Sequence, residues 1–288
     1  MTAGTLFIVA TPIGNLDDLS PRVRQVLAEV DLVAAEDTRV TRRLLSHFGI
    51  STPSTALHEH NEDRQAAKLI ERLGSGESVA IVSDAGTPLI SDPGYRVAKQ
   101  AHEAGIVVSP VPGPSAVIAA LSASGLPTDR FVFEGFLPGK KSARQSRLED
   151  LRDETRTLVF LESVHRVVAT LEHLATVFGA DRPAFMGREL TKLHEQCVMA
   201  PLAALTEQLQ AGDIPQKGEF VIVVGGAAVP SAASENVEVD ALLRELVAVL
   251  PGKQAVDIVA RLSDMNRNAL YARMLALKAE KSGSGSVK

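Results

Sequence analysis

The segment Ser83–Gly94, which reads SDAGTPLISDPG, concentrates groups that could bind a ligand. It follows the apolar run Val79–Val82, and open α/β sheets bind ligands beyond the carboxyl ends of their strands. Glycines let a ligand approach the backbone closely, and Asp84 and Asp92 add two carboxylates. Turn chemistry alone also favours Asp, Gly and Pro, but the segment is longer than a simple connection requires. We therefore predict that it contacts a ligand.

Two shorter turns have the same organisation. The segment Thr11–Asn15, TPIGN, follows the apolar run Thr5–Ala10, and Val111–Ala116, VPGPSA, leads into a helix with Ser115 near its first turn. Unpaired N–H groups at such turns and helix starts can receive a polar ligand group. A tight turn or a plain helix cap explains the two segments equally well. Neither matches G-x-G-x-x-G or a P-loop.

A further strand end carries charged side chains. The segment Ala34–Arg39, AAEDTR, places Glu36, Asp37 and Arg39 within one turn. These groups could bind a polar acceptor, or they could form a local salt-bridged turn. The residues alone slightly favour the turn.

The most basic stretch is Phe136–Lys141, FLPGKK, which continues to Arg144 and Arg147. Its proline and glycine predict mobility, and flexible basic segments suit phosphate backbones. We predict that Lys140, Lys141, Arg144 and Arg147 contact a nucleic-acid backbone, with a solvated charged face as the alternative.

Two motifs of the second half follow strand candidates and contain ionisable groups. They are Glu162–Arg166, ESVHR, and Gly187–Glu195, GRELTKLHE. The spacing of His194 and Glu195 is not H-E-x-x-H, and no second histidine follows at helical spacing, so we predict no zinc site and no other metal. The sequence also has no G-x-S-x-G elbow, which argues against a hydrolase of that type.

Composition limits the function classes. The 288 residues carry a net charge of −5, which excludes a generally basic nucleic-acid binder but allows a local basic patch. The one cysteine, Cys197, cannot form a disulfide framework, which fits a reducing compartment. The N-terminus does not resemble a signal peptide, and no apolar run approaches the roughly 20 residues that span a membrane. We expect a cytoplasmic protein.

The elements that must position these motifs alternate in the first half of the chain. Strand candidates there are followed by loops and then by helical patterns, which predicts an α/β domain, residues 1–125, with a mostly parallel sheet covered on both faces. The strand candidates are Thr5–Ala10, Asp31–Ala35, Ser78–Ser83 and Ile106–Val111, and the helix candidates are Arg22–Val30, Arg39–Phe48, Asn61–Leu73, Tyr95–Ala104 and Pro114–Ser122.

Gly125-Leu126-Pro127 interrupts this alternation, and a second, less regular α/β domain is predicted over residues 126–228. The small, polar residues 229–236 predict a linker. Residues 237–281 contain three helical patterns and predict a small helical module, and the tail 282–288, rich in serine and glycine, is expected to be disordered.

Eight segments between Leu6 and Gly225 together resemble the tetrapyrrole-methylase superfamily of S-adenosylmethionine-dependent methyltransferases. Within it they are similar to the members that methylate ribosomal RNA. The segments are VATPIGNLDDLS, AAEDTR, SDAGTPLISDPG, PGPSA, GFLPGK, ESVHR, RELTKLHE and KGEFVIVV. The resemblance implies the class III methyltransferase fold, in which two α/β domains enclose a cleft for S-adenosylmethionine, and it implies a homodimer.

Carried over by motif, the resemblance also implies which residues contact S-adenosylmethionine. They are Pro12, Asp84, Ala85, Gly86, Thr87, Leu89, Ile90, Ser115, Ala116, Met186 and Gly187.

The implied reaction is methylation of the ribose 2′-oxygen of a cytidine in the decoding region of 16S ribosomal RNA, within the 30S subunit, with the helical module helping to hold RNA. A ribose hydroxyl is a poor nucleophile, so a base or a polarising cation should assist. We predict that Glu36, Asp37, Arg39 or His60 shapes the acceptor side. Two alternatives stay open: a porphyrinoid-precursor methyltransferase on the same fold, and a non-catalytic RNA-binding assembly factor.

Overall fold

The computed structural model describes residues 3–228, 232–263 and 265–283. The chain forms two compact units, residues 1–227 and 228–288. Among the described residues, no helix is both long and apolar enough to cross a membrane.

The first half of the larger unit is a five-stranded, wholly parallel sheet in the order β3-β2-β4-β1-β5. Apolar side chains pack on both faces of the sheet, against helices α1 and α2 on one face and α3 and α4 on the other, which confirms the predicted α/β fold. The strands are β1 (Thr5–Val9), β2 (Leu32–Ala35), β3 (Ser54–Ala56), β4 (Val79–Val82) and β5 (Val107–Val111). The helices are α1 (Pro21–Glu29), α2 (Thr38–His47), α3 (Glu62–Gly74), α4 (Tyr95–Glu103) and α5 (Ala116–Ala123).

Side-chain caps fix where the helices begin, and therefore where the loops before them end. Ser20 accepts a hydrogen bond from the Val23 N–H at the start of α1, with Pro21 in the first turn as its sequence predicts. Asp37 caps α2 and Ser115 caps α5 in the same way. The short strand β3, which contains small polar residues, has no counterpart in the sequence-based assignment.

The second half of the larger unit is a mixed sheet in the order β6-β7-β10-β8-β9. Strands β6 and β7 are parallel, whereas the remaining pairs are antiparallel. The strands are β6 (Phe131–Phe136), β7 (Thr157–Ser163), β8 (Pro183–Arg188), β9 (Gln196–Pro201) and β10 (Glu219–Val224). The helices are α6 (Lys141–Asp150), α7 (Val167–Phe178) and α8 (Leu202–Ala211). The sequence did not predict β9 or α6.

Helix α5 joins the two halves. It is apolar around most of its surface, and its buried residues Val117, Ala120 and Leu121 pack with residues of the second sheet such as Val159 and Val223. The predicted division at residue 125 therefore falls just after a helix of the first half whose apolar side chains pack on the second sheet.

The smaller unit is built from α9 (Ala232–Val249), α10 (Gly252–Leu262) and α11 (Arg267–Gly283), which confirms the predicted helical module. Its core contains Leu243, Val256, Val259, Leu270 and Met274.

Two predicted boundaries at this end differ from the structure. Of the predicted linker, residues 229–231 lie outside the described residues, and residues 232–236 form the start of α9, because alanine and glutamate are strong helix formers even in a segment of small, polar composition. Of the predicted disordered tail, residues 282 and 283 complete α11, and residues 284–288 lie outside the described residues.

The end of the Ser83–Gly94 loop is held by a buried carboxylate. Glu62, whose surface is 8% exposed, accepts hydrogen bonds at Oε1 from the Gly94 N–H at 3.0 Å and the Arg96 N–H at 2.8 Å. These donors belong to the first turn of α4, which has no other side-chain cap.

We expect Glu62→Ala to lower the free energy of unfolding by about 2 kcal/mol, because two buried N–H groups lose their acceptor. Urea denaturation followed by circular dichroism measures this loss, and hydrogen exchange of the α4 peptide should become faster. Asp63→Ala is the matched control, since Asp63 pairs only with the exposed Arg96 side chain and should change stability little. Equal effects of the two substitutions would contradict the capping role.

Candidate active site

The loops at the strand tips of both sheets enclose one cavity of about 370 Å³. The first half of the chain lines it with Ile13, Glu36, Asp84, Ala85, Gly86, Thr87, Ile90, Ser91, Asp92, Ser115, Ala116 and Val117. The second half lines it with Phe136, Leu161, Glu162, Ser163, Gly187, Leu190, Glu219, Phe220 and Val221. Its volume falls within the range of small-molecule sites. The sequence-predicted loops therefore converge on a single space.

A pair of backbone hydrogen bonds ties the first loop to the Ser83–Gly94 loop. The Thr11 N–H donates to the Gly86 carbonyl at 2.8 Å, and the Gly86 N–H donates to the Thr11 carbonyl at 3.0 Å. The buried Thr11 hydroxyl adds a bond to the Ser83 carbonyl at 3.1 Å. The backbones of the two turns therefore satisfy part of their hydrogen-bonding capacity in each other, which ties the two strand tips together.

The Ser83–Gly94 loop uses left-handed backbone conformations to line the cavity. Gly86 has φ +82°, and a Cβ placed on it would lie 3.4 Å from the Ile13 side chain, which is itself in the cavity wall. Leu89 and Ser91 also have positive φ, at 71° and 66°, which is costly for residues with a Cβ. The surrounding structure must hold this shape, and the Thr87 hydroxyl contributes by donating to the Pro114 carbonyl at 3.1 Å.

Helix α5 begins at the cavity. Ser115 lies in the cavity wall and also caps the helix by accepting from the Ile118 N–H at 3.5 Å. Ala116 and Val117, in the first turn, line the cavity as well. The first N–H groups of a helix have no partner within it and favour negatively charged ligand groups. A carboxylate is the kind of group that this end of the cavity can hold.

Three carboxylates line the opposite, acidic part of the cavity wall: Glu36, Asp84 and Asp92. The Asp37 N–H donates to Asp84 Oδ1 at 3.0 Å, and the Asp84 N–H donates to Glu36 Oε2 at 3.4 Å. The residues after β2 and β4 thus each donate a backbone hydrogen bond to a carboxylate of the other. Burial raises the pKa of Glu36 and of Asp84 above their ordinary values.

Burial is also the main cause that raises the pKa of Asp92 to about 6, with the nearby charges of Glu36 and Asp84 adding to it. A hydrogen bond from Ser83 acts in the opposite direction. Three clustered carboxylates favour a cationic ligand, because a positive charge among them relieves their mutual repulsion.

The second sheet supplies an apolar wall with one buried acid. Glu162, 2% exposed, accepts from the Thr170 hydroxyl at 2.6 Å and the Ser163 N–H at 2.7 Å, and lies 3.3 Å from the Arg166 guanidinium. Its charge is thus compensated within the protein. Gly187 has no Cβ because one would lie 2.9 Å from the Leu190 side chain, which occupies that side of the wall.

Most of the predicted cofactor residues line the cavity. They are Asp84, Ala85, Gly86, Thr87, Ile90, Ser115, Ala116 and Gly187. Three others do not. Pro12 lines a neighbouring cavity, Leu89 packs into the core of the first sheet, and Met186, 1% exposed, points into the helix-covered core of the second sheet. Met186 and Gly187 differ because successive strand residues point to opposite faces.

The four predicted catalytic residues are not brought together. Glu36 lies in the cavity wall. Arg39 donates to Asp37 from its backbone and from its guanidinium, and these bonds lower the pKa of Asp37 to about 2. The pair therefore forms the local salt-bridged turn that was the alternative. His60 is exposed and does not line the cavity.

The four residues predicted to contact RNA also lie in different environments. Lys140 and Lys141 are exposed. Arg144 is 6% exposed, bonded through Nε to His173 Nδ1 at 2.9 Å and turned towards the Pro138 and Gly139 carbonyls. Its position in α6 makes it a structural residue, which corrects the prediction of a mobile basic segment. Arg147 forms a bidentate pair with Glu134.

Several residues of the second sheet line the cavity but were not predicted as site residues, among them Phe136, Leu161, Glu219 and Val221. Apolar residues of this kind carry no chemical signal of their own. The position of ESVHR directly after a strand was a usable signal for Glu162 and Ser163. Within the described residues, no group of three or more His, Cys, Asp or Glu side chains has the arrangement of a metal site.

The chain is similar to known proteins over nearly all its length. The family profile of Tetrapyrrole (Corrin/Porphyrin) Methylases matches residues 5–206, and the RsmI C-terminal HTH domain matches residues 233–278. Ribosomal RNA small subunit methyltransferase I of Xylella fastidiosa (strain Temecula1) is 55% identical, over 94% of this chain and 98% of that protein. The Pseudomonas aeruginosa protein of the same name is 51% identical, over 96% and 98%.

Solved structures share the fold at low sequence identity. The methyltransferase CobJ superposes with a TM-score of 0.57 at 20% identity, covering 78% of this chain and 95% of that chain. Uroporphyrin-III C-methyltransferase from Thermus thermophilus, complexed with S-adenosylhomocysteine, has a TM-score of 0.51 at 19% identity, covering 77% and 97%.

The acidic part of the cavity wall should make stability depend on pH. Asp92 binds its proton more tightly in the folded than in the unfolded state, so the free energy of unfolding should fall as pH rises from about 4 to about 6. We expect Asp92→Asn to be more stable than the parent at pH 7.5, where the buried charge is removed, and this difference to narrow at pH 5. Urea denaturation at both pH values measures it.

Asp129→Asn removes the same charge from an exposed position and serves as the control. A stabilisation by Asp92→Asn that is equal at pH 5 and pH 7.5 would show that Asp92 is not protonated in this range.

Proposed function

This chain belongs to the tetrapyrrole (corrin/porphyrin) methylase family, and we propose that it transfers a methyl group from S-adenosylmethionine to ribosomal RNA of the small subunit. The acceptor we propose is the ribose 2′-oxygen of a cytidine in the decoding region of 16S RNA. The observation that carries the proposal is the single cavity in which all three glycine- and proline-rich turns meet. The sequence also supports the proposal. About half of the residues are identical to those of relatives named as small subunit ribosomal RNA methyltransferases, over almost the whole of both chains.

The cavity residues suit S-adenosylmethionine chemically. The ligand carries a positive sulfonium, an amino acid group and an adenosine. The carboxylates of Glu36, Asp84 and Asp92 suit the cationic part, and the start of α5 suits a carboxylate. Leu161, Leu190 and Val221 offer an apolar surface for a heterocyclic base. Gly86 leaves open the space that a side chain would enter.

When bound, S-adenosylmethionine supplies an electrophilic methyl carbon, so the difficult chemistry belongs to the cofactor. The protein must orient the acceptor oxygen and exclude water. We assign the proton of the acceptor hydroxyl to Glu36, which lies in the cavity with a pKa raised by burial, because a carboxylate with a raised pKa is a better base. Asp37 and Arg39 neutralise each other beside it and keep the tip of β2 in place.

The direct test is transfer of tritiated methyl groups from S-adenosylmethionine to 30S subunits that lack the modification. We expect label in 16S RNA and a modified cytidine whose 3′ phosphodiester bond resists alkali, because the 2′-hydroxyl is blocked. A tetrapyrrole precursor offered in parallel should receive no label. Label in the precursor alone, or RNA binding without any transfer, would replace the proposal with one of its alternatives.

Gly86→Val should abolish S-adenosylmethionine binding measured by calorimetry, because the side chain enters the cavity beside Ile13. The left-handed conformation at Gly86 also strains any side chain, so a strain-matched control is needed. Gly125→Val provides it: Gly125 has φ +68°, and a Cβ there has no neighbour within 4 Å. Unchanged S-adenosylmethionine binding by a folded Gly86→Val protein would show that the cofactor does not bind in this cavity.

A further inference from the structure

A second cavity, of about 380 Å³, adjoins the first. It lies between the first loop and helix α2, and its lining is Thr11, Pro12, Leu16, Val40, Thr41, Arg43, Leu44, His47, Ser83 and Asp84. Asp84 lines both cavities, and the successive residues Pro12 and Ile13 of one loop line the second and the first, respectively. The two spaces therefore adjoin at Asp84 and at the first loop.

The lining combines an apolar surface with an arginine and a histidine. Leu16 and Val40 are large apolar side chains that remain 40% and 38% exposed, and Leu44 lies one helical turn after Val40. Arg43 and His47, also one turn apart, place their charged or polar ends on the same cavity. A planar ring with an attached anion would suit this lining, since the ring would cover the exposed apolar side chains and the anion would pair with the Arg43 guanidinium.

Helix α2 is a basic element in an acidic protein. It contains Arg39, Arg42, Arg43 and His47 and no acidic side chain, whereas the whole chain carries −5. Arg39 is neutralised by Asp37, but within residues 3–228 neither Arg42 nor Arg43 forms an ion pair with a carboxylate. A local cluster of unpaired cations attracts a polyanion even when the total charge is negative.

We propose that this second cavity, the α2 cavity, holds the acceptor nucleotide of single-stranded RNA, with Arg43 and His47 on its phosphate and Pro12, Leu16, Val40 and Leu44 against its base. The proposal rests on the proposed function and names where its substrate binds. It places the acceptor ribose at Asp84, where the two cavities adjoin, so that its 2′-oxygen faces the methyl donor and Glu36 in the first cavity. A nucleotide reaches such a pocket only from a single strand or by leaving its stack.

Two substitutions test the α2 cavity. Val40→Trp fills it, and we expect the KM for unmodified 30S subunits to rise at least about tenfold, which corresponds to the loss of one well-made contact. Arg43→Ala should weaken binding of a fluorescein-labelled decoding-region oligoribonucleotide about tenfold and reduce the slope of log K against log salt by about 1. In both variants, the dissociation constant of S-adenosylmethionine measured by calorimetry should stay within about twofold of the parent's value.

Arg64→Ala is the matched control, because Arg64 is an exposed arginine on α3 that lines neither cavity. We expect it to change neither the KM nor the salt slope. Equal effects of Arg43→Ala and Arg64→Ala would overturn the inference, and so would loss of S-adenosylmethionine binding in both cavity variants. If the parent protein methylates no ribosomal RNA, the proposed function fails first; if it does and Val40→Trp leaves the KM unchanged, only the α2 cavity fails.

Discussion

The two backbone hydrogen bonds between Thr11 and Gly86 are the contact on which the site depends. They join the turn after β1 to the turn after β4, and residues of these two turns line both cavities. Gly86 can take part because its left-handed backbone brings the N–H and the carbonyl towards Thr11 without a Cβ against Ile13. Neither turn could keep this shape alone, because Leu89 and Ser91 in the same loop hold strained conformations that only surrounding structure can maintain.

Helix α5 links these two turns to the second sheet. Its apolar residues pack on the second sheet, and its first turn lies in the cavity wall. The approach of the two halves is close: a Cβ on Gly14 would lie 2.3 Å from the Lys192 Cγ and 3.1 Å from the Leu190 carbonyl. Contact with the second half therefore favours a glycine at this position of the first loop.

Sequence reasoning identified the loops better than the individual side chains. Buried parallel strands are continuous apolar runs, so their ends, and the ligand-binding loop Ser83–Gly94, could be located from composition alone.

The errors concern side chains whose direction depends on the fold. Met186 was placed in the site beside Gly187, but strand alternation turns it into the core. Arg144 was predicted to belong to a mobile basic segment because proline and glycine precede it, yet it lies in α6 with its guanidinium buried beside His173. Phe136 and Val221 could not be assigned at all, because their role exists only where the second sheet meets the first.

The two adjoining cavities differ in the charged side chains that line them. Glu36, Asp84 and Asp92 share a partly buried wall, where burial raises the pKa of each and the charges of Glu36 and Asp84 raise that of Asp92 further, so a cation there would offset the cost of their ionisation. Arg43 and His47 lie in the neighbouring cavity, where an anion would be favoured. The Asp84 carboxylate lies at the boundary, fixed by the Asp37 N–H, and the Asp84 N–H in turn holds Glu36. In the proposed reaction the acceptor oxygen and the methyl group meet at this boundary, so Glu36, which we propose as the base, would lie beside the hydroxyl that loses its proton.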